Sequence, residues 1–514
     1  MKSTRIVALL LCTAALQVNL SAQALQMQPR RNTIKTRTQK YVELVSRNDI
    51  LKDSQFGVLA LKMNGDTVAC WNSNTRMLPA SNMKLITTGA AIHKLGPDFK
   101  YTTRIGYSGT INNGVLEGDI YIVGGGDPTI ASKDSIAIPR FFLMSKWKAF
   151  MDNAGIKKEN GRIIGDGRYF DGPLENDTWS YQDIGNSDGT GFDGLCFYEN
   201  IQEFKATPGA SVGAPVTTSI VFPITPWMSY GNFGRTSRAG TGDNLYFFPS
   251  EYAPYGEVRG SFAIDRNPRV EHFSNKFGAY TCAHYFCNYL RDKGIEVTEG
   301  VADVHGGRIR SSLSSQGLGP YAAKVDDLKM IGGTDSPALK DIARECNLKS
   351  DNFYAETLLR TLGRKGHHSA SYDSSYVALG EVFKSLGVSA GSVQISDGSG
   401  LSRHNYLSPE FIVSFLEAMM KSPHFDEYIG TIGVAGGRGY ESKLASEKPD
   451  TRSRVHLKSG SMNGVRCFSG YIEPSTGTRG EVIVFSLMTN NALVKASQVD
   501  PLLDRIMAFL ASEN

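Results

Sequence analysis

What most limits the fold of this chain is a serine and a lysine three residues apart where a helix begins. The stretch is Leu78-Pro79-Ala80-Ser81-Asn82-Met83-Lys84-Leu85-Ile86-Thr87. Pro79 and Ala80 end an extended run, and Leu85, Ile86, Ala90, Ala91 and Ile92 recur at helical spacing, which predicts Ser81 in a first helical turn. An i, i+3 pair shares one helix face. A serine hydroxyl is a weak nucleophile at neutral pH and needs a base beside it, a role lysine can take when burial and a second cation lower its pKa. Free N–H groups at a helix start also suit a developing oxyanion. The rest of the chain has to supply that pair.

S-x-x-K alone is weak, and Ser145 to Lys148 in FFLMSKWKAF is a second match that reads as one side of an ordinary helix. Ser81 is singled out by two motifs further along the chain: Ser350-Asp351-Asn352, then Lys458-Ser459-Gly460, the order found in serine enzymes that react with penicillins. K-[ST]-G occurs once, whereas S-x-N recurs, as at Ser46 to Asn48. In this reading Ser81 attacks an amide carbonyl and Lys84 takes its proton. Ser350 relays a proton to the leaving amine, and Asn352 holds the substrate backbone. Lys458 supplies the second positive charge, lowering the pKa of Lys84 and attracting a carboxylate, to which Ser459 adds a hydroxyl. The N–H groups of Ser81 and Ser461, just past Gly460, form the oxyanion hole. Three G-x-S-x-G matches, at Gly185 to Gly189, Gly209 to Gly213 and Gly387 to Gly391, lack the strand-to-helix context of a nucleophile elbow. His404 and His456 have no better-placed serine.

With 514 residues, 41% of them apolar and 21% charged, the chain has room for two or three domains. Lys2 and Arg5, an apolar run from Ile6 to Leu20 and Ala22-Gln23-Ala24 read as a signal peptide cut after Ala24, so the mature protein is expected to be exported. Cys12 follows bulky Leu11, which disfavours lipid attachment. No later apolar run is long enough to span a bilayer, so no transmembrane anchor is expected. A net charge of +4 gives no reason to expect nucleic acid. Cys70, Cys196, Cys282, Cys287, Cys346 and Cys467 remain after cleavage, as buried thiols or in pairings left open. No metal-ligand spacing appears, and neither metal nor cofactor is expected.

Along the chain, FGVLALKMNGDTVACWN alternates around a turn and predicts a β-hairpin. Residues 25–97 read as the first part of a catalytic domain and 308–514 as the second. Between them, 98–307 reads as an insertion of short strands, with room for two nested lobes and with helices near Pro139 to Asn153 and Ser274 to Lys293. Gly124 to Pro128 reads as a tight turn. Helices are predicted on both sides of Ser350 to Asn352 and from Ser408-Pro409. Three strands come next, VHLKSG, VRCFSGYIEP and EVIVFSLMTN, and a closing helix, QVDPLLDRIMAFLA, covers the sheet.

With Ser81 to Lys84, GGGDPT at Gly124 to Thr129, Ser350 to Asn352 followed by FYAETLLR, DGSGLSRHN at Asp397 to Asn405, and Lys458 to Gly460 followed by SMNGV, the chain resembles the low-molecular-mass class C penicillin-binding proteins, the D-alanyl-D-alanine carboxypeptidase/endopeptidase family. The resemblance covers nearly all of the mature chain, and the long separation of Ser81 from Ser350 matches the family's inserted domains. It implies an α/β (α+β) fold, a β-lactamase/transpeptidase-like domain with an antiparallel sheet between helices. It also implies peptidoglycan stem peptides as substrates, covalent inhibition by β-lactam antibiotics and a periplasmic location. Ser459 stands where threonine is commoner, with the hydroxyl kept. Related enzymes are expected to read a diamino-acid side chain with an acidic residue of the insertion and an arginine of the catalytic domain, positions matched here to Asp166 and Arg403. Two alternatives are a non-catalytic wall-binding homologue, separable by labelling with a fluorescent penicillin, and a class A β-lactamase. The latter needs an E-x-x-L-N glutamate, and Glu356 to Arg360 is too close to Asn352 and lacks the asparagine. The oligomeric state, a homo-oligomer included, is left open.

Overall fold

The structure, a computed structural model, describes residues 35–438 and 452–513, apart from 252, 306 and 311–318. The leader read at residues 1–24 lies outside the described residues. The alternating run after Ser54 forms the hairpin it predicts, Gln55–Lys62 against Thr67–Trp71, turning at Gly65 with φ 93°. This hairpin is one side of a six-stranded sheet that continues through Ile483–Asn490, Val465–Ile472, Val455–Met462 and the short Gly433–Val434, every pair antiparallel. Ile483–Asn490 is buried at every residue, as a strand covered on both faces must be.

Helices Arg37–Val45 and Ala496–Ser512 cover one face, where Val42, Val45, Val499, Leu503, Ile506 and Leu510 pack against Val58, Phe468, Phe485 and Leu487. The closing helix therefore buries its apolar stripe on the sheet, as its sequence predicts. Among the described residues no helix is long and apolar enough to cross a membrane. The other face carries Met83–Leu95, Pro409–Met419, Leu339–Lys349 and Asn352–His367 around a core that includes Ile86, Ala90, Leu358, Phe415 and Met488. Burying one such leucine or phenylalanine contributes about 1.5–3 kcal/mol. Local signals set where these helices begin: Ser408 accepts from Phe411 N with Pro409 next in line, and Asp351 accepts from Tyr354 N. From Met83 to Ile92 every residue is buried, so the helix behind Ser81 is gripped on all sides.

The stretch that separates Ser81 from Ser350 has its own six-stranded sheet, in the order Arg308–Arg310, Gly300–His305, Arg162–Asp166, Ile120–Val123, Thr102–Tyr107 and Lys329–Asp335. Strand pairing thus runs to Asp335, beyond Gly307 where the sequence changes texture. Helices Arg140–Asn153 and Gly278–Asp292 pack on it, with Trp147 edge-on to Phe286. A smaller group of strands between Ile201 and Ser274 has a separate core of Phe204, Phe247, Phe262 and Phe273. In the turn after Ile120–Val123, Asp127 accepts from both Thr129 N and Thr129 Oγ1, and Gly126 takes φ 88°. The six described cysteines are free thiols.

Candidate active site

The chain reaches Ser81 through a 3-10 turn, Ala80–Asn82, that runs directly into helix Met83–Leu95. Ala80 sits at φ 45°, a left-handed conformation that costs a non-glycine residue roughly 1–3 kcal/mol and persists only where its surroundings impose it. The surroundings here are close. A Cβ at Gly400 (φ 85°) would lie 1.9 Å from Ala80 O, and one at Gly460 would lie 2.7 Å from Pro79 O, so both segments approach the turn because they carry glycine. Leu78 N donates to Asn490 Oδ1 (2.6 Å), and Asn82 Nδ2 donates to Ser469 Oγ (2.7 Å), tying both ends of the turn to the sheet.

Lys84 is fully buried, and its Nζ has three neighbours: Ser81 Oγ at 3.1 Å, Asn352 Oδ1 at 2.6 Å and Ser399 O at 2.8 Å. Two of these oxygens only accept, and the third is a hydroxyl. A neutral amine, with two N–H groups and one lone pair, satisfies all three by donating to Asn352 and Ser399 and accepting from Ser81. Burial lowers the Lys84 pKa, against the opposing pull of acidic neighbours that include Asp397, Asp351 and Glu356. The sequence reading gave this task to burial together with the charge of Lys458, and burial is the leading cause.

Ser350 ends helix Leu339–Lys349 at φ 58°, and Asn352 begins the next helix, so the motif is the corner between two helices. Lys458, fully buried on strand Val455–Met462, donates from Nζ to Ser350 Oγ (3.1 Å) and Ser459 O (3.0 Å). A cleft of about 340 Å³ opens between these groups, lined by Ser81, Ser350, Asn352, Ser459 and Ser461 together with Asp188 and Arg466. Three segments distant in sequence thus share one cavity.

Arg403 is exposed and donates to Asn463 O at 3.1 Å, just past the K-S-G strand. Asp166 does not join it: the carboxylate is 1% exposed in the inserted sheet, paired with Arg168 Nη2 at 2.6 Å and Arg168 N at 3.0 Å. It is buried on strand Arg162–Asp166 and is not among the residues that line the cleft.

Sequence reasoning missed several groups. Asp188, in the 3-10 turn Ser187–Gly189, lines the cleft and accepts from Asn352 Nδ2 through its backbone carbonyl at 2.9 Å. It lies in one of the G-x-S-x-G matches set aside as a nucleophile elbow, so the signal was a turn-rich loop rather than a serine. Behind Lys84, Glu356 accepts from Gly398 N (3.0 Å) and Ser399 N (2.8 Å), and burial pushes its carboxyl up to about 8. Asp397 accepts from Gly400 N (2.8 Å), Asn405 Nδ2 (2.7 Å) and Trp179 Nε1 (3.0 Å). These two acids shape the loop that presents Ser399 O to Lys84.

Fold and site together define a class, the serine peptidases built on the β-lactamase/transpeptidase-like fold. Residues 38–512 match the D-Ala-D-Ala carboxypeptidase 3 (S13) family, and the chain belongs to that family. A D-alanyl-D-alanine carboxypeptidase of Actinomadura sp. (strain R39) is 25% identical over 466 residues, covering 88% of this chain and 81% of its own. D-alanyl-D-alanine carboxypeptidase DacB of Haemophilus influenzae is 27% identical over 450 residues, 85% of each chain. Crystal structures of penicillin binding protein 4 (dacB) from Haemophilus influenzae share the fold with TM-scores of 0.75 and, in complex with a β-lactam, 0.70. Both are 24% identical to this chain and cover 92% of it and 98% of their own.

Proposed function

We propose that Ser81 is the nucleophile of a D-alanyl-D-alanine carboxypeptidase/endopeptidase that cleaves peptidoglycan stem peptides in the periplasm. The observation that carries this reading is the buried Lys84 amine 3.1 Å from Ser81 Oγ, with its other two contacts already filled by acceptors. Lys84 takes the hydroxyl proton as Ser81 Oγ attacks the scissile carbonyl, and the N–H groups of Ser81 and Ser461 hold the oxyanion. Ser350, in contact with Lys458, returns a proton to the leaving amine. Water then hydrolyses the ester. Asn352 exchanges its bond to the Asp188 carbonyl for the substrate backbone, while Lys458 and Ser459 hold the substrate carboxylate.

Arg403 at the rim reads the carboxylate of a diamino-acid side chain. The buried Arg168 pair argues against Asp166 as the acidic partner. The catalytic unit comprises 25–97 and the C-terminal part, with the intervening sheets inserted. A β-lactam acylates the same serine and lacks a leaving group that diffuses away, and the β-lactam complex of the Haemophilus relative supports that extension. Intact-mass analysis after penicillin treatment tests the assignment. One adduct is expected on the wild type and none on Ser81→Ala. An adduct formed on Ser81→Ala at the wild-type rate would remove it.

A further inference from the structure

Asp188, whose carbonyl accepts from Asn352, lies in a loop of the insertion that is gripped by a buried lysine. Lys276, between strand Arg269–Ser274 and helix Gly278–Asp292, has 1% of its side chain exposed. Its Nζ pairs with Glu175 Oε1 at 2.5 Å, donates to Ile184 O at 2.6 Å and lies 3.5 Å from Gly189 O. A lysine ammonium has three hydrogens, and these three acceptors use them all. Ile184 and Gly189 stand on either side of Asp188 in the sequence, so the contacts bracket its 3-10 turn, Ser187–Gly189. Two residues before Lys276, Ser274 N adds a bond to Gly185 O at 2.9 Å. The ends of the loop are held separately: Arg360, on the helix that starts at Asn352, donates from Nη1 to Pro173 O (3.1 Å) and Phe192 O (3.2 Å). Lys276 therefore fixes the middle of the loop and not its ends.

What the loop sets is the direction of one amide. Asn352 Oδ1 accepts from Lys84 Nζ at 2.6 Å, and Asn352 Nδ2 donates to Asp188 O at 2.9 Å. Turning the amide over would put its oxygen against the Asp188 carbonyl with no hydrogen between them, and would aim an N–H at Lys84. That N–H would occupy the lone pair with which a neutral Lys84 accepts from Ser81. A backbone carbonyl can only accept, so Asp188 selects the orientation that leaves the base free.

We propose that Lys276 is a positioning residue for Asn352, acting from the insertion by holding the Asp188 carbonyl where it orients the amide before substrate arrives. The inference rests on the reading of Ser81 as the acylated serine and Lys84 as its base. Once substrate is bound, its own backbone carbonyl, or the side-chain amide carbonyl of a penicillin, takes the N–H of Asn352 and keeps the same orientation. The loop therefore counts in the free enzyme and not in the bound complex. With the middle of the loop released, only a fraction of the molecules keeps Asn352 correctly turned, and apparent affinity falls by that fraction while the step after binding is unchanged. A correctly turned fraction of about one tenth raises the half-saturating concentration about tenfold.

The test is stopped-flow acylation by a fluorescent penicillin over a concentration series, which gives the saturating rate and the half-saturating concentration separately. Lys276→Met fills the site without a donor, and should raise the half-saturating concentration about tenfold while the saturating rate stays within about twofold of wild type. Lys276→Gln keeps an N–H for Ile184 O and should fall between the two; it carries the test where the methionine variant does not fold. Melting curves, with the fraction of molecules labelled at completion, separate a turned amide from a loss of folded enzyme. A folded variant that melts lower but keeps both kinetic constants, or one that loses saturating rate as much as affinity, confines Lys276 to holding the fold and overturns this inference alone. A wild type that takes no label overturns the Ser81 reading and this inference with it.

Discussion

Replacing Lys84 by methionine keeps the length of the buried side chain and removes its amine. The structure defines what is lost: the amine 3.1 Å from Ser81 Oγ and its donors to Asn352 Oδ1 and Ser399 O. A positioned general base contributes about 10²- to 10⁴-fold, or about 3 to 5 kcal/mol of barrier. The two stranded acceptors cost about 1–3 kcal/mol each in stability, offset in part because a buried amine no longer has to be dehydrated. Lys84→Met should therefore fold, melt some degrees lower, and acylate 100- to 10,000-fold more slowly in stopped-flow or intact-mass measurements. The pH dependence supplies a second check. Because burial lowers the folded pKa below 10.5, the neutral amine is present at lower pH than in free lysine, and wild-type acylation rises with pH through that folded value. By the same linkage, the group's contribution to stability is complete above 10.5 and falls away as pH drops toward the folded pKa. A folded Lys84→Met that acylates within tenfold of wild type would refute the base role.

Two further substitutions probe what sequence and structure read differently. Arg403→Ala should slow hydrolysis of diamino-acid peptides about ten- to a hundredfold, a charge-assisted contact of roughly 1.5 to 3 kcal/mol, while leaving penicillin acylation nearly unchanged. Asp166→Ala should instead strand the buried end of the Arg168 pair, lower the melting temperature, and affect both substrates alike; a peptide-selective loss would return Asp166 to the substrate site. Glu159 is fully buried, with Oε1 accepting from Ile120 N, Oε2 unpartnered, and its pKa raised by burial to about 8. A raised carboxyl binds its proton better in the folded state, so its contribution is complete below about 4.5 and is lost as pH rises through 8, up to roughly 5 kcal/mol in all. Glu159→Gln should flatten the decline of melting temperature between pH 5 and pH 9, and an unchanged slope would contradict the burial argument.

How much of this was legible in advance depends on the range of the forces involved. The Ser81–Lys84 pair, the hairpin at Gln55–Trp71, the start at Ser408-Pro409 and the apolar stripe of Ala496–Ser512 were readable because helix pitch, strand alternation and capping act over a few residues. The three motifs were readable as a set because chemistry restricts which residue types can do the work. Where Asp166 points was not readable, since a strand residue faces core or solvent according to what its sheet packs against. The environment of Lys84 was equally hidden. Its contacts with Asn352 and Ser399 join positions 268 and 315 residues apart, and the desolvation that lowers its pKa exists only once helices and sheet have closed around it. Motif spacing determines which groups can react; the packed interior decides their charge, and through charge which of them acts as the base.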